Sequence, residues 1–236
     1  MAASTQPDAE GFAGGAWMTE NSFEMIAYLH YTPSISDAKE AKMNLSITHQ
    51  EKYSRGQLIL RTLFGLLYIG IPHFVLLLIV GIWSAIVSFL TFWVVLFTGR
   101  FPESFFNFQI GYQNWSLRVA ASLSNLVDGY PAFFPGVKGD SVKFEVPRPE
   151  RVSRGLVILR LLFGWLYVGI PHYVCLIFRE IASGVLGFLA WFAILFAGRY
   201  PVRWHAFNVG TYRWIARVGL YLGYFTDEYP KFSGKE

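Results

Sequence analysis

Between Thr62 and Thr98 the chain carries no Asp, Glu, Lys or Arg, and nearly every side chain is aliphatic or aromatic. At about 1.5 Å per residue, a helix over this run would reach about 55 Å, nearly twice a hydrocarbon layer of about 30 Å. One tilted helix does not absorb that excess, so the run is expected to fold as a hairpin of two spans. A second run, Leu161–Phe178, is followed by Arg179 and Glu180 and then by Ile181–Ala197. Charges at mid-bilayer cost about 2.5–3.5 kcal/mol each, so this pair is expected at the interface, marking a turn. The equivalent turn falls at Val80–Gly81. The expectation is four transmembrane helices, at about 57–79, 82–98, 156–178 and 181–197.

Composition agrees. Hydrophobic residues make up 53% and aromatics 18%, while charged residues reach only 15%, against about 25% in soluble domains. A soluble fold has too little interior for that much apolar surface, which argues against a soluble enzyme and against disorder over most of the chain. The single cysteine, Cys175, excludes an internal disulfide and a multi-cysteine metal site. A net charge of +4 and a pI near 9.1 point to anionic lipid rather than nucleic acid as partner.

The chain also contains itself twice. A shift of 99 residues lays Phe64–Phe74 (FGLLYIGIPHF) on Phe163–Tyr173 (FGWLYVGIPHY), and Leu96–Pro102 (LFTGRFP) on Leu195–Pro201 (LFAGRYP). It also lays Trp115, Arg118, Asp128, Tyr130 and Phe133 on Trp214, Arg217, Asp227, Tyr229 and Phe232. This is a tandem duplication. Gly99-Arg100-Phe101-Pro102 and Gly198-Arg199-Tyr200-Pro201 read as helix stops, with glycine in the left-handed position.

Beyond each stop an amphipathic helix is expected, at about 103–127 and 202–226. In the first, Phe108, Tyr112, Trp115, Val119 and Leu123 form an apolar stripe opposite Asn107, Asn114, Arg118 and Asn125. In the second, Phe207, Trp214, Val218 and Leu222 lie opposite Arg203, Arg213 and Arg217. Such helices are expected to lie in the interface. Ahead of each repeat, Met43–Thr48 and Val142–Pro147 alternate with period two, which predicts a short strand in each copy and an antiparallel pairing between them. The predicted architecture is an all-α integral membrane protein of two tandem repeats, each a transmembrane hairpin plus an amphipathic interfacial helix, with one β-strand before each. Residues 1–42 read as a flexible cytoplasmic segment without signal-peptide features, 43–135 as repeat 1, 136–141 as a linker and 142–236 as repeat 2. Lys and Arg gather on the side of the termini and linker, so both termini are expected in the cytoplasm.

His73 and His172 follow Pro72 and Pro171 in otherwise apolar helices, at equivalent places. Three readings stay open. Either each ring braces a proline kink by donating to the unpaired carbonyl, or the two relay protons, or they ligate haem. Arg118, Arg203, Arg213 and Arg217 are candidates for anionic lipid headgroups. Asp128 and Asp227 are expected to tie the end of each repeat to its start through Arg55 and Arg154. Ser84-x-x-x-Ser88 and Ser183-x-x-x-Gly187 read as close helix packing. No phosphate-binding loop, zinc-protease pattern or nucleophile elbow occurs, so no enzyme activity, catalytic residue, metal or cofactor is expected.

The repeated order of Ser-Arg, Ile-Pro-His, Gly-Arg-Tyr/Phe-Pro, Trp-x-x-Arg-Val and Asp-x-Tyr-Pro-x-Phe resembles a bacterial membrane family, domain of unknown function 4389, in tandem form. The resemblance covers about residues 43–135 and 142–233, and the first copy departs from the second at Gln113-Asn114 and Gly129. It implies a bacterial inner-membrane protein and brings no activity with it. The functional expectation is an accessory or scaffold component that binds anionic lipid or a larger membrane complex. The alternatives are a transporter or proton/ion conductor using His73 and His172, and a haem-binding electron-transfer subunit.

Overall fold

The structure, a computed structural model, describes residues 42–135 and 141–235. Strand β1 (Asn44–Ile47), helix α1 (Arg55–Thr98) and helix α2 (Glu103–Leu123) form the first copy. Strand β2 (Val142–Glu145), helix α3 (Arg154–Ala197) and helix α4 (Val202–Leu222) repeat the order. The expected flexible segment and linker lie outside the described residues, save Lys42 and Ser141. Ser54 and Ser153 cap the long helices, accepting from the backbone N–H of Gln57 (3.3 Å) and Leu156 (3.5 Å). Gly99 and Gly198 end them at φ +67° and +66°, as expected of glycine there.

The expected hairpins do not form. Val80–Gly81 and Arg179–Glu180 are helical, so each copy holds one helix of 44 residues in place of two spans, and both are long and apolar enough to cross a membrane. Neither point contains proline, and the one glycine costs a helix only about 1 kcal/mol. Gly81 instead admits Tyr112, whose hydroxyl lies 2.8 Å from where a Cβ would sit. Arg179 finds its partners on α4, donating to Thr211 Oγ1 at 3.0 Å and to the Phe207 carbonyl at 3.2 Å. A charge satisfied from a neighbouring helix does not need a turn at the interface.

The excess length is absorbed by a bend. α1 and α3 run antiparallel and meet mainly at their ends, where Tyr53 N–H donates to the Gly198 carbonyl (2.9 Å) and Val152 N–H to the Gly99 carbonyl (2.8 Å). Straight rods joined at both ends would touch throughout, but here α2 and α4 fill the middle. Along α1, Arg61, His73 and Ser84 bond to Asn125, Trp115 and Gln109 of the returning chain. From Arg61 to His73 the two paths keep step, at about 18 and 15 Å. From His73 to Ser84 α1 advances about 16 Å while α2 advances about 9 Å, so the two helices are inclined to each other beyond His73. The cause sits at that point, a π-helical turn at Leu66–Gly70 followed by Pro72, repeated as Trp165–Gly169 and Pro171.

α2 and α4 are about four residues shorter than expected, ending at Leu123 and Leu222, and two residues beyond each end Asn125 (φ 56°) and Tyr224 (φ 67°) sit in the left-handed region. Their polar sides are solvated only in part, with Asn107 and Arg203 exposed. Arg118 and Arg213 are as buried as Trp115 and Trp214. The strands pair antiparallel as expected, Leu45 opposite Phe144 and Ile47 opposite Val142. Ile47 and Val142 pack in one core with Leu58, Leu126 and Ile194, while Leu45 and Phe144 pack in a second with Val95, Val157 and Leu220. Each core thus draws on both repeats.

Asp128 and Asp227 do tie repeat end to repeat start, but not through Arg55 and Arg154. Their carboxylates accept from Ser54 N–H (2.6 Å) and Ser153 N–H (2.7 Å). The arginines in reach lie six residues, nearly two turns, further along each helix. Arg160 pairs with Asp227 at 2.7 Å, and Arg61 donates to the Val127 carbonyl at 2.7 Å and to the Asp128 carbonyl. Asp227→Ala strands the buried Arg160 and should cost about 3 kcal/mol, whereas Asp128→Ala should cost about 1.5 kcal/mol. Denaturant unfolding in detergent checks this, and equal losses would refute the asymmetry.

Candidate functional site

Each proline leaves the carbonyl four residues back without its helical N–H donor. For Pro72 that carbonyl belongs to Tyr68, and Tyr130 Oη donates to it at 3.1 Å. For Pro171 it belongs to Tyr167, and Tyr229 Oη donates at 3.0 Å. The kink is therefore braced by a tyrosine from the end of the same repeat, not by the histidine as one reading expected. The histidine does something else.

His73 and His172 are wholly buried. Trp115 Nε1 donates to His73 Nδ1 at 3.0 Å, and Trp214 Nε1 to His172 Nδ1 at 2.9 Å. Phe133 stacks on His73 with centroids 4.1 Å apart and planes 8° apart, and Phe232 stacks on His172 at 3.8 Å and 11°. Tyr130 and Tyr229 close the remaining side at 5.4 and 5.5 Å. Each cage is thus built inside one repeat, from the bend of the long helix, the middle of the return helix and the segment after it. The two rings are held in separate cages and do not form one pair.

This bonding fixes the chemistry. Indole N–H is a donor only, so each imidazole must accept at Nδ1 and, being neutral, carry its proton on Nε2. Neither Nε2 has a hydrogen-bond partner among the described residues. An iron or proton taken at Nε2 needs the lone pair there, which moves the hydrogen to Nδ1 and sets it against the indole N–H. The residues present do not fit a haem ligand pair. What the arrangement does do is lock Pro-kinked helix, return helix and following segment together through one buried bond and one stacked ring.

The arginines expected to face lipid are mostly structural. Arg213 donates to the Leu45 carbonyl through Nε (3.2 Å) and Nη2 (2.8 Å), fastening α4 to β1. Arg118 holds the Phe134 carbonyl at 2.9 Å, and Arg217 the carbonyls of Ser233 (3.1 Å) and Lys235 (2.6 Å). Arg203 is exposed. The small-residue positions do serve packing. Gln109 Nε2 donates to the Ser84 carbonyl (2.7 Å) and Ser88 Oγ (2.9 Å), and Ser183 Oγ donates to Asn208 Oδ1 at 2.5 Å. Cys175 lies on the exposed face of α3.

Sequence reasoning missed the part played by Tyr130, Phe133, Tyr229 and Phe232, although Asp-x-Tyr-Pro-x-Phe repeats in both copies. It also missed His49 and His205, whose rings meet edge to face at 5.0 Å. Burial pulls the His205 imidazole down to about 4, against the upward pull of its bond to the Leu126 carbonyl at 3.2 Å. In histidine-labelled protein, nitrogen NMR should show His73 and His172 in the Nε2–H tautomer. Trp115→Phe and Trp214→Phe should each cost about 1–3 kcal/mol by stranding an acceptor. An Nδ1–H tautomer in the unaltered chain would refute the cage.

Comparison with curated proteins gives no match, and neither does comparison with solved structures. The family described as domain of unknown function (DUF4389) matches twice, at residues 55–135 and 157–234. Each match contains one complete cage, from proline kink to stacking phenylalanine. The chain belongs to that family as a two-repeat member.

Proposed function

We propose that this chain is a non-enzymatic protein of the bacterial inner membrane, a pseudo-symmetric scaffold that presents two bent apolar helices to lipid and to other membrane components. One observation carries the reading. The inward faces of α1 and α3 are closed by the cages and return helices, while their outward faces leave Leu66, Phe74, Phe97, Leu162, Phe178 and Phe196 exposed, several by about 70%. Soluble chains do not leave apolar faces of that extent in water. Basic residues gather at the helix ends instead, with Lys52, Arg55, Arg100, Arg148, Arg151, Arg154 and Arg199 all exposed there. That distribution sets positive charge at both borders of the apolar surface, as contact with lipid headgroups requires.

The cages suit a scaffold because they spend buried polar groups on rigidity. Conduction through His73 and His172 would need water at Nε2, and both rings are shut behind phenylalanine and tyrosine. Gating or flux therefore draws no support from them.

The full chain should stay with membranes through an alkaline carbonate wash and need detergent for extraction. Recovery in the supernatant, or a monodisperse preparation without detergent, would contradict the proposal.

A further inference from the structure

Where the end of α1 meets the start of α3, Thr98, Gly99, Arg100, Arg151, Val152 and Arg154 line an open cleft of about 380 Å³. Three of these residues are arginines and none is acidic. Gly99 lies in the cleft wall on a left-handed backbone, where a side chain would be strained, with Arg154 Nε 3.4 Å from where a Cβ would stand. The helix ends that meet here have opposite polarity, so their dipoles offset and the guanidinium groups set the local potential.

The acidic neighbours are engaged elsewhere. Glu103 pairs with Arg148 at 3.3 Å, and Asp227 pairs with Arg160 and accepts from Ser153 N–H. Glu150 precedes Arg151 but does not line the cleft. Phe97, 70% exposed, places the outward apolar face of α1 directly beside it. A ligand here meets concentrated positive charge on one side and lipid-like surface on the other.

We infer that this cleft binds the phosphate of an anionic phospholipid headgroup, with Arg100 and Arg151 as charge-assisted donors and Arg154 as flanking charge. The inference rests on the bilayer-facing reading above. It moves headgroup binding from Arg118, Arg213 and Arg217, which hold backbone carbonyls, to arginines at the repeat junction.

The test uses the full chain in neutral detergent, titrated with dihexanoyl phosphatidylglycerol, dihexanoyl phosphatidylcholine and inorganic phosphate, with binding read by thermophoresis. Phosphatidylglycerol should bind at least about tenfold more tightly than either control. R100Q/R151Q should weaken it about thirtyfold, at about fivefold per charge. R100K/R151K should stay within about threefold of the unaltered chain, because charge is kept, and K231Q, at an exposed residue outside the cleft, should leave binding unchanged. Undiminished affinity in folded R100Q/R151Q would overturn the inference. So would inorganic phosphate binding as tightly as the lipid, which would assign the cleft to a free ion. Failure of the bilayer reading would show separately, as a chain that stays dissolved without detergent.

Discussion

In each repeat one indole N–H is spent on one imidazole nitrogen, deep beneath a proline kink. Trp115 to His73 and Trp214 to His172 are the bonds on which the remaining geometry depends. A 44-residue helix has little reason of its own to bend. The π turn and proline make bending cheap, and the cage fixes it by docking the return helix at that point. The tyrosine that brings its ring to the histidine also caps the carbonyl freed by the proline. Backbone defect and side-chain anchor are thus settled by the same short segment.

The polar groups away from the cages follow a related logic. The inward face of the long helices is polar by the standard of the outward one, with Arg61, Ser84, Arg160 and Thr91 all buried. Most reach carbonyls, carboxylates or amides of the return helix and the chain after it. Such bonds are directional, unlike apolar contact, and they set the register of helix on helix. The outward face is built almost wholly of exposed aliphatic and aromatic side chains, which carry no such directional bonds.

Much of this was legible. Period-two alternation and the duplication together implied two strands related by symmetry, and the observed antiparallel register follows. Gly99 and Gly198 announced the helix ends. A kink at Pro72 and Pro171 was legible, but that it takes the place of a hairpin turn was not, because hydropathy counts apolar length and says nothing of curvature. Arg179 looked like an interfacial charge since its partner Thr211 lies on another helix, 32 positions away. Arg213 looked solvated since its acceptor is a strand carbonyl, 168 positions away, and carbonyls leave no mark in a side-chain pattern. The Trp–His spacing of 42 positions is the same in both copies, yet no local rule connects residues so far apart.

Distance measurement between the ends of α1 tests the central claim most directly. Spin labels at Gln57→Cys and Phe97→Cys, with Cys175→Ala to remove the native thiol, would be about 60 Å apart on a straight helix. A helix bent and pinned by its cage should give a separation well short of that, lengthening when Trp115→Phe and Tyr130→Phe are added. A separation of about 60 Å in the otherwise unaltered chain would contradict the account.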